Sequence, residues 1–220
     1  MEQDNISIEY RFDSALGQIE ANRYINDYKI DIYHDDNAQD PIKHDLIGKV
    51  EASLVLMSLM INNGVSYYEV FDNSQFLSEI GQTIIDFDEN DFAEPLASED
   101  MAGSGNLLVI SRIELLPEWR KKGIGKKMIK DIILRFSGCC DLVILKAFPL
   151  QQEYQYAEDN KNAWEKQMHI SDLPKDIEFS NYKMFSYYQN LGFTLLENTD
   201  YFYLNLALQN KIFDAIDLEE

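Results

Sequence analysis

The sequence predicts a mixed α/β fold in a single domain spanning residues 1–220. Three observations point there. Runs of β-branched and aromatic residues dominate the N-terminal part of the chain. A strand–helix–strand succession occupies residues 107–148. Apolar residues make up 45% and charged residues 26% of the 220 positions, a composition and length that bury a core without disulfides or metal.

The elements follow in order. Residues 6–12 (Ile6, Ile8, Tyr10, Phe12) and 23–33 (Tyr24, Tyr28, Ile30, Ile32) alternate β-forming residues and read as strands. Residues 34–41 form a polar turn. Residues 46–60 read as one long strand, half alternating and half continuously apolar, ended by Asn62-Asn63-Gly64. Asn73 or Ser74 caps a helix in which Phe76, Leu77, Ile80, Ile84 and Phe87 share one face. The acidic residues 88–106, with Gly-Ser-Gly at 103–105, read as a loop. Residues 107–116 form a strand with an apolar first half, hence a central one, stopped by Pro117. Gly123 opens a helix whose buried face is Ile124, Met128, Ile129, Ile132, Ile133 and Phe136. Residues 141–148 are a second apolar strand, and the strand–helix–strand order favours parallel pairing. The polar segment 150–178 is partly helical around 162–169. Residues 181–191 form another helix, stopped by Gly192, and 193–196 and 201–206 are a terminal strand pair. There is no internal repeat.

Acidic residues outnumber basic ones 39 to 19, for a formal net charge of −20. Such a chain repels DNA, RNA and anionic lipid unless it carries a segregated basic patch, so neither a nucleic-acid nor a membrane partner is expected. The acidity serves solubility and tilts slightly toward cationic ligands. Cys139 and Cys140 are adjacent and read as small core residues before a buried strand rather than a disulfide. A cytoplasmic, reducing location fits that usage. The N-terminus lacks the features of a signal peptide, and the longest apolar stretch (54–61, broken by Ser58) is too short to span a bilayer. No His, Cys, Asp or Glu cluster has metal-ligand spacing, and His34, His44 and His169 are scattered, so no metal is expected.

The informative stretch is Leu115-Leu116-Pro117-Glu118-Trp119-Arg120-Lys121-Lys122-Gly123-Ile124-Gly125-Lys126-Lys127, between a buried strand and a helix start. Backbone N–H groups and the helix dipole make an anion site at such a junction, and glycines let a phosphate approach the backbone. Six basic residues and no acid fall within 120–130. A Walker loop is ruled out because Arg120 stands where its first glycine belongs and Lys127 where its Ser or Thr belongs. A dinucleotide fingerprint is ruled out because its third small residue is Met128.

What remains, Arg120-Lys121-Lys122-Gly123-Ile124-Gly125 after Leu115-x-Pro117, resembles the acyl-CoA loop of the GNAT superfamily of N-acyltransferases. A second match, Tyr188-Gln189-Asn190-Leu191-Gly192-Phe193, resembles that family's Y-x-x-x-G-F, with Asn181 two helical turns before Tyr188 on the same face. The resemblance covers residues 107–206. It implies a central mixed, mostly antiparallel, splayed β-sheet flanked by helices, with acetyl-CoA or coenzyme A as co-substrate. It places Ile113 and Leu115 as backbone contacts to pantetheine, Arg120, Lys121, Lys122, Gly123, Ile124, Gly125 and Lys126 as the pyrophosphate cradle, and Asn181 as a contact to the pantetheine arm or to an ordered water. It implies acetyl transfer to a primary amine of a small-molecule or peptide acceptor, by a monomer or homodimer. Tyr188 is then the general acid, with a core aromatic as the plainer reading. Glu114 is a candidate base, read equally well as a partner of Arg112 or of a lysine in the next helix. Lys146 stands where some members carry a carboxylate. Phe148-Pro149-Leu150-Gln151 resembles bacterial members and is assigned no role. Residues 1–106 match only loosely, because their helix follows the long strand instead of preceding it. Segment 150–178 exceeds the usual link, and either walls or lids the acceptor pocket or is an inert excursion. Two other readings stand beside the enzyme: an acyl-CoA-binding regulatory module without turnover, and a nucleic-acid-binding domain using the basic island, which the surrounding charge opposes.

Overall fold

A computed structural model describes residues 5–12, 20–35, 44–99, 105–152 and 162–218. The predicted turn at 34–41 falls largely outside these, apart from His34 and Asp35, which belong to a strand.

Three antiparallel strands come first: β1 (Ile6–Phe12), β2 (Ile25–Asp35) and β3 (His44–Val55). The predicted long strand ends at Val55, and its apolar continuation forms α1 (Met57–Asn62). Met57 and Met60 are buried there while Leu59 and Ile61 are exposed, a helical spacing that a continuous apolar run conceals. A capping box between Ser66 and Glu69 opens α2 (Tyr67–Phe71), which the sequence reading missed. Ser74 caps α3 (Gln75–Ile84) by accepting from the Leu77 N–H. That helix stops before Phe87 because Ile85 turns into a small hairpin, β4 (Ile85–Asp86) with β5 (Asp91–Phe92).

The second half follows its expected order: β6 (Leu107–Leu115), α4 (Ile124–Phe136), β7 (Leu142–Lys146), α5 (Ala163–Gln167), α6 (Ile177–Gln189), β8 (Thr194–Leu195), β9 (Tyr201–Asn205) and α7 (Lys211–Asp214). α6 starts earlier than predicted because Asp176 caps it. α7, capped by Asn210, was not foreseen.

The main sheet has seven strands in the order β1-β2-β3-β6-β7-β9-β8. Among the described residues only β6 and β7 pair in parallel, joined by the crossover helix α4. The sheet is therefore mixed, mostly antiparallel and flanked by helices, the architecture that the resemblance implied. On one face Leu108, Ile110, Val143, Leu145 and Phe202 meet Met128, Ile129, Ile132, Ile133 and Phe136 of α4, together with Tyr188. On the other, Leu107, Val109, Leu142 and Ile144 meet Met57 and Met60 of α1, Val70 and Phe71 of α2, and Ile80 and Ile84 of α3. Alternate residues of β6 and β7 thus serve two cores, which is why both strands read as unbroken apolar runs.

Cys140 is buried, and burial pushes its thiol up to about 12. Cys139 is exposed, against the expectation that both are core residues, and neither forms a disulfide. Among the described residues no helix is long and apolar enough to cross a membrane, and no group of three or more His, Cys, Asp or Glu could hold a metal ion.

The second core leaves no slack at the α2–α3 contact. A Cβ on Gly81 would lie 2.8 Å from Cβ of Phe71. Gly81→Ala should therefore destabilise the protein by about 1–3 kcal/mol despite alanine's better helix propensity, read from urea unfolding; an unchanged or raised midpoint would contradict this contact.

Candidate functional site

The site begins with backbone geometry. β6 pairs with β3 along its whole length but with β7 only from Leu107 to Ile110. Beyond that point β7 stays with β9, and the Ala147 N–H donates to the Asp200 carbonyl at 2.8 Å. The two strands part, leaving one edge of β6 open. A register shift accompanies the parting: Glu51 faces Arg112 while Ala52 faces Ile110, so Ser111 is an extra residue, and its hydroxyl donates to the Glu51 carbonyl at 3.1 Å. The Leu116 N–H donates to the Ile47 carbonyl at 2.9 Å. Antiparallel ladders alternate, so Glu114 also directs its backbone toward β3, and Ile113 and Leu115 turn theirs to the open edge. The two residues that the resemblance marks for backbone contacts are the ones so turned.

The cationic loop adjoins this edge. A 3-10 turn at Pro117–Trp119 leads to Lys121 at φ 62° and Gly123 at φ 83°, after which α4 begins with no side-chain cap. The first N–H groups of α4 have no partner within the helix, and the positive end of its dipole lies there. Gly123 supplies a left-handed conformation that L side chains rarely adopt. Lys121, Lys122 and Lys126 are exposed, and Lys122 Nζ lies 4.7 Å from the centre of the Trp119 ring. Ile124 is buried at the first position of α4. A Cβ on Gly125 would stand 3.0 Å from the Tyr187 hydroxyl, whose pKa burial pushes up to about 12.

Arg120 departs from its expected place in the cradle. Its Nε donates to the Leu115 carbonyl at 2.7 Å and its Nη2 to the Met168 carbonyl at 2.8 Å. The guanidinium is half-buried, and desolvation lowers its pKa. It fastens the end of β6 to the C-terminal end of α5 and leaves the lysines and backbone N–H groups to face an anion.

On the opposite side of the sheet from α4, Glu114 is only 5% exposed. Arg112 Nε donates to its Oε1 at 2.6 Å and Trp164 Nε1 to its Oε2 at 2.5 Å. A buried carboxylate needs such partners, since an unpaired one would cost several kcal/mol, roughly. The ion-pair reading of Glu114 is thus realised with Arg112, and the candidate base is held in place on both oxygens. Trp164 comes from α5, which a capping box of Asn162 and Glu165 starts. Its ring also carries Lys49 Nζ 4.7 Å from its centre. Trp164 borders two clefts. One of about 280 Å³ is lined by Lys49, Glu51, Arg112, Glu114, Asn162 and Glu165. The other, about 520 Å³, includes Leu116, Glu118 and Trp119. The described part of segment 150–178 thus supplies lining residues to both clefts. Lys146 lies elsewhere, paired with Glu79 at 3.1 Å.

Asn181 and Tyr188 both lie on α6, toward the main core. Tyr188 is 6% exposed and sits 5.7 Å centre to centre from Phe202 and 6.0 Å from Phe193. Burial, then the neighbouring Tyr187, raises its pKa far above the ordinary value, so it stays a proton donor at neutral pH. Among the described residues two buried side-chain atoms have no hydrogen-bond partner, Asn181 Oδ1 and Gln152 Nε2. Sequence reasoning named the first and missed the second, which carries no motif.

Neither a protein-family model nor a curated protein matches the chain. Among solved structures it is similar to a mutant of KacT (TM-score 0.42, 9% identity, covering 92% of this chain and 96% of that one). It is similar to a KacTA–DNA complex (0.41, 12%, 92% and 94%) and to AtaTR bound with AcCoA (0.39, 10%, 92% and 94%).

The residues present fit a pyrophosphate-bearing ligand with an extended arm: the uncapped N–H groups of a helix start among lysines, and an adjoining open strand edge. Two outcomes follow from the side chains. A double-mutant cycle of Trp164→Phe and Glu114→Gln should return a coupling of about 1–2 kcal/mol in urea unfolding, and additive losses would mean that the indole does not hold the carboxylate. Tyr188 has a folded-state pKa raised above its ordinary value of 10, so its contribution is complete below pH 10 and is lost as pH rises beyond it. Wild type should lose stability above pH 10 more steeply than Tyr188→Phe, and parallel curves would contradict that burial.

Proposed function

We propose that the protein is a GNAT-type N-acetyltransferase that moves an acetyl group from acetyl-CoA to a primary amine by direct attack. One observation carries the reading: the uncapped, lysine-flanked start of α4 lies beside the unpaired edge of β6, so a phosphate site and a backbone edge for an extended arm adjoin. The backbone of Lys121 through Lys126 would hold the pyrophosphate, with Arg120 bracing the loop from behind. The open edge at Ile113 and Leu115 would hold the pantetheine arm, and a backbone N–H of β6 would stabilise the oxyanion.

An amine of pKa near ~10 arrives protonated at neutral pH and must lose a proton before attack. Glu114, fixed by Arg112 and Trp164, borders the cleft on the side of the sheet away from α4, where an acceptor would enter. Tyr188, kept protonated by burial, would supply the departing thiolate with its proton. The acceptor is a small-molecule or peptide amine.

A second reading, an acyl-CoA-binding regulatory module, draws on the engagement of both Glu114 oxygens, which leaves no unencumbered base. Calorimetric titration with acetyl-CoA followed by assay over an amine panel separates the two. Binding with turnover supports the enzyme, binding without turnover supports the module, and no binding at millimolar ligand removes both. In the enzyme, Tyr188→Phe should lower kcat about a hundredfold while acetyl-CoA affinity stays within about twofold of wild type. An unchanged kcat would take Tyr188 out of the chemistry.

A further inference from the structure

The smaller cleft beside Trp164 already holds a primary amine that belongs to the chain. Lys49 lies on β3 directly opposite Glu114 of β6, so the two side chains rise from the same face of the sheet, away from α4. Both line the cleft of about 280 Å³, together with Trp164. Lys49 Nζ lies 4.7 Å from the centre of the Trp164 ring, and Nε1 of that indole donates to Glu114 Oε2 at 2.5 Å. Amine, indole and carboxylate thus form one cluster. In the ladder it stands at Glu114, between Ile113 and Leu115, the two residues that turn their backbones to the open edge of β6. Neighbouring strands lie about 4.8 Å apart, a distance that the four-carbon stem of a lysine spans. Other amines of the chain are committed to oxygen atoms: Lys146 to Glu79, and Lys130 to the Asp214 and Ile216 carbonyls. Lys49 rests on a ring face, so its departure strands no opposite charge.

We propose that Lys49 is itself an acceptor, acetylated in cis from bound acetyl-CoA. This rests on the acetyl-CoA reading, and its new element is a covalent modification site on the chain. Lys49 starts as an ammonium and loses one proton, with the Glu114 carboxylate beside it as the base. Nζ then attacks the thioester carbonyl carbon, an N–C bond forms and the C–S bond breaks. The electron pair of that bond leaves with the CoA sulfur, which takes up a proton, and the nitrogen gives up its second proton as the amide forms. Lysine ammonium and acetyl-CoA therefore yield N-acetyl-lysine, the CoA thiol and one proton, with no further reactant. Proximity drives the step, because a nucleophile held beside the thioester reacts at an effective concentration far above that of a distant lysine. The product takes one positive charge from the cleft and leaves Arg112 alone against Glu51, Glu114 and Glu165.

The test incubates the full wild-type chain with acetyl-CoA and no added amine, and follows each lysine by peptide mass spectrometry. Lys49 should gain an acetyl group at least about tenfold faster than Lys166 and Lys211, which are exposed and report direct chemical acetylation. At fixed acetyl-CoA the rate constant should not change when the protein is diluted, as a reaction within one molecule requires. Excess CoA should suppress acetylation of Lys49 and spare the other two. Acetylation spread evenly over the three lysines, none at Lys49, or a rate constant that falls on dilution would overturn the proposal. So would the same preference for Lys49 with acetyl phosphate as donor, since that marks an amine reactive toward any acetylating agent. If calorimetry shows acetyl-CoA bound while Lys49 stays unmodified, this proposal fails and the acetyl-CoA reading stands. No binding of acetyl-CoA removes both.

Discussion

The parting of β6 from β7 is the constraint on which the rest depends. Parallel strands need a crossover, and here it is α4, which leaves the end of β6 and returns to β7. The helix must therefore begin where β6 ends. Because β7 pairs with β6 over only four residues before following β9, the free edge of β6 and the positive end of α4 fall side by side. A strand edge and an anion site are ordinary features of α/β proteins. Their adjacency here follows from a short parallel ladder, and the two cores on either face of the sheet hold the gap open by fixing β7 to its other neighbour.

Polar groups removed from water collect around that gap. Glu114 is satisfied by Arg112 and Trp164, Arg120 by two carbonyls, and Gln152 and Asn181 are each left with an unsatisfied atom. A stable core alone would not be built this way, since apolar residues of similar size would serve it as well or better. Asn205, buried at the end of β9 away from the gap, is satisfied by donating to Glu99.

Much of this was legible in the sequence because it rests on local period and local chemistry. The buried face of α4 emerged residue for residue from its spacing, and the glycine-bearing loop from its place between an apolar strand and that helix. What stayed hidden depends on partners distant in the chain. The apolar run of β3 has no period that could announce α1, and only the burial of Met57 and Met60 against other helices selects it. Arg120 reads as a phosphate ligand from its neighbours, yet it bonds Met168, 48 residues away. Trp164 and Glu114 are 50 residues apart, with no shared motif. Gln152 is one polar residue in a polar segment, and only its burial without a partner sets it apart.

The bridge made by Arg120 has a mechanical consequence. Its two bonds, 2.7 and 2.8 Å long, join the strand end that carries the loop to the short helix that carries Trp164. Trp164 in turn grips Glu114, on the same strand as Leu115. Strand, arginine, helix and indole close a ring of contacts through the sheet's end. A ring of this kind ties the place of the loop to the place of the cleft wall through four hydrogen-bonded groups: the Leu115 carbonyl, Arg120, the Met168 carbonyl and the Trp164–Glu114 pair.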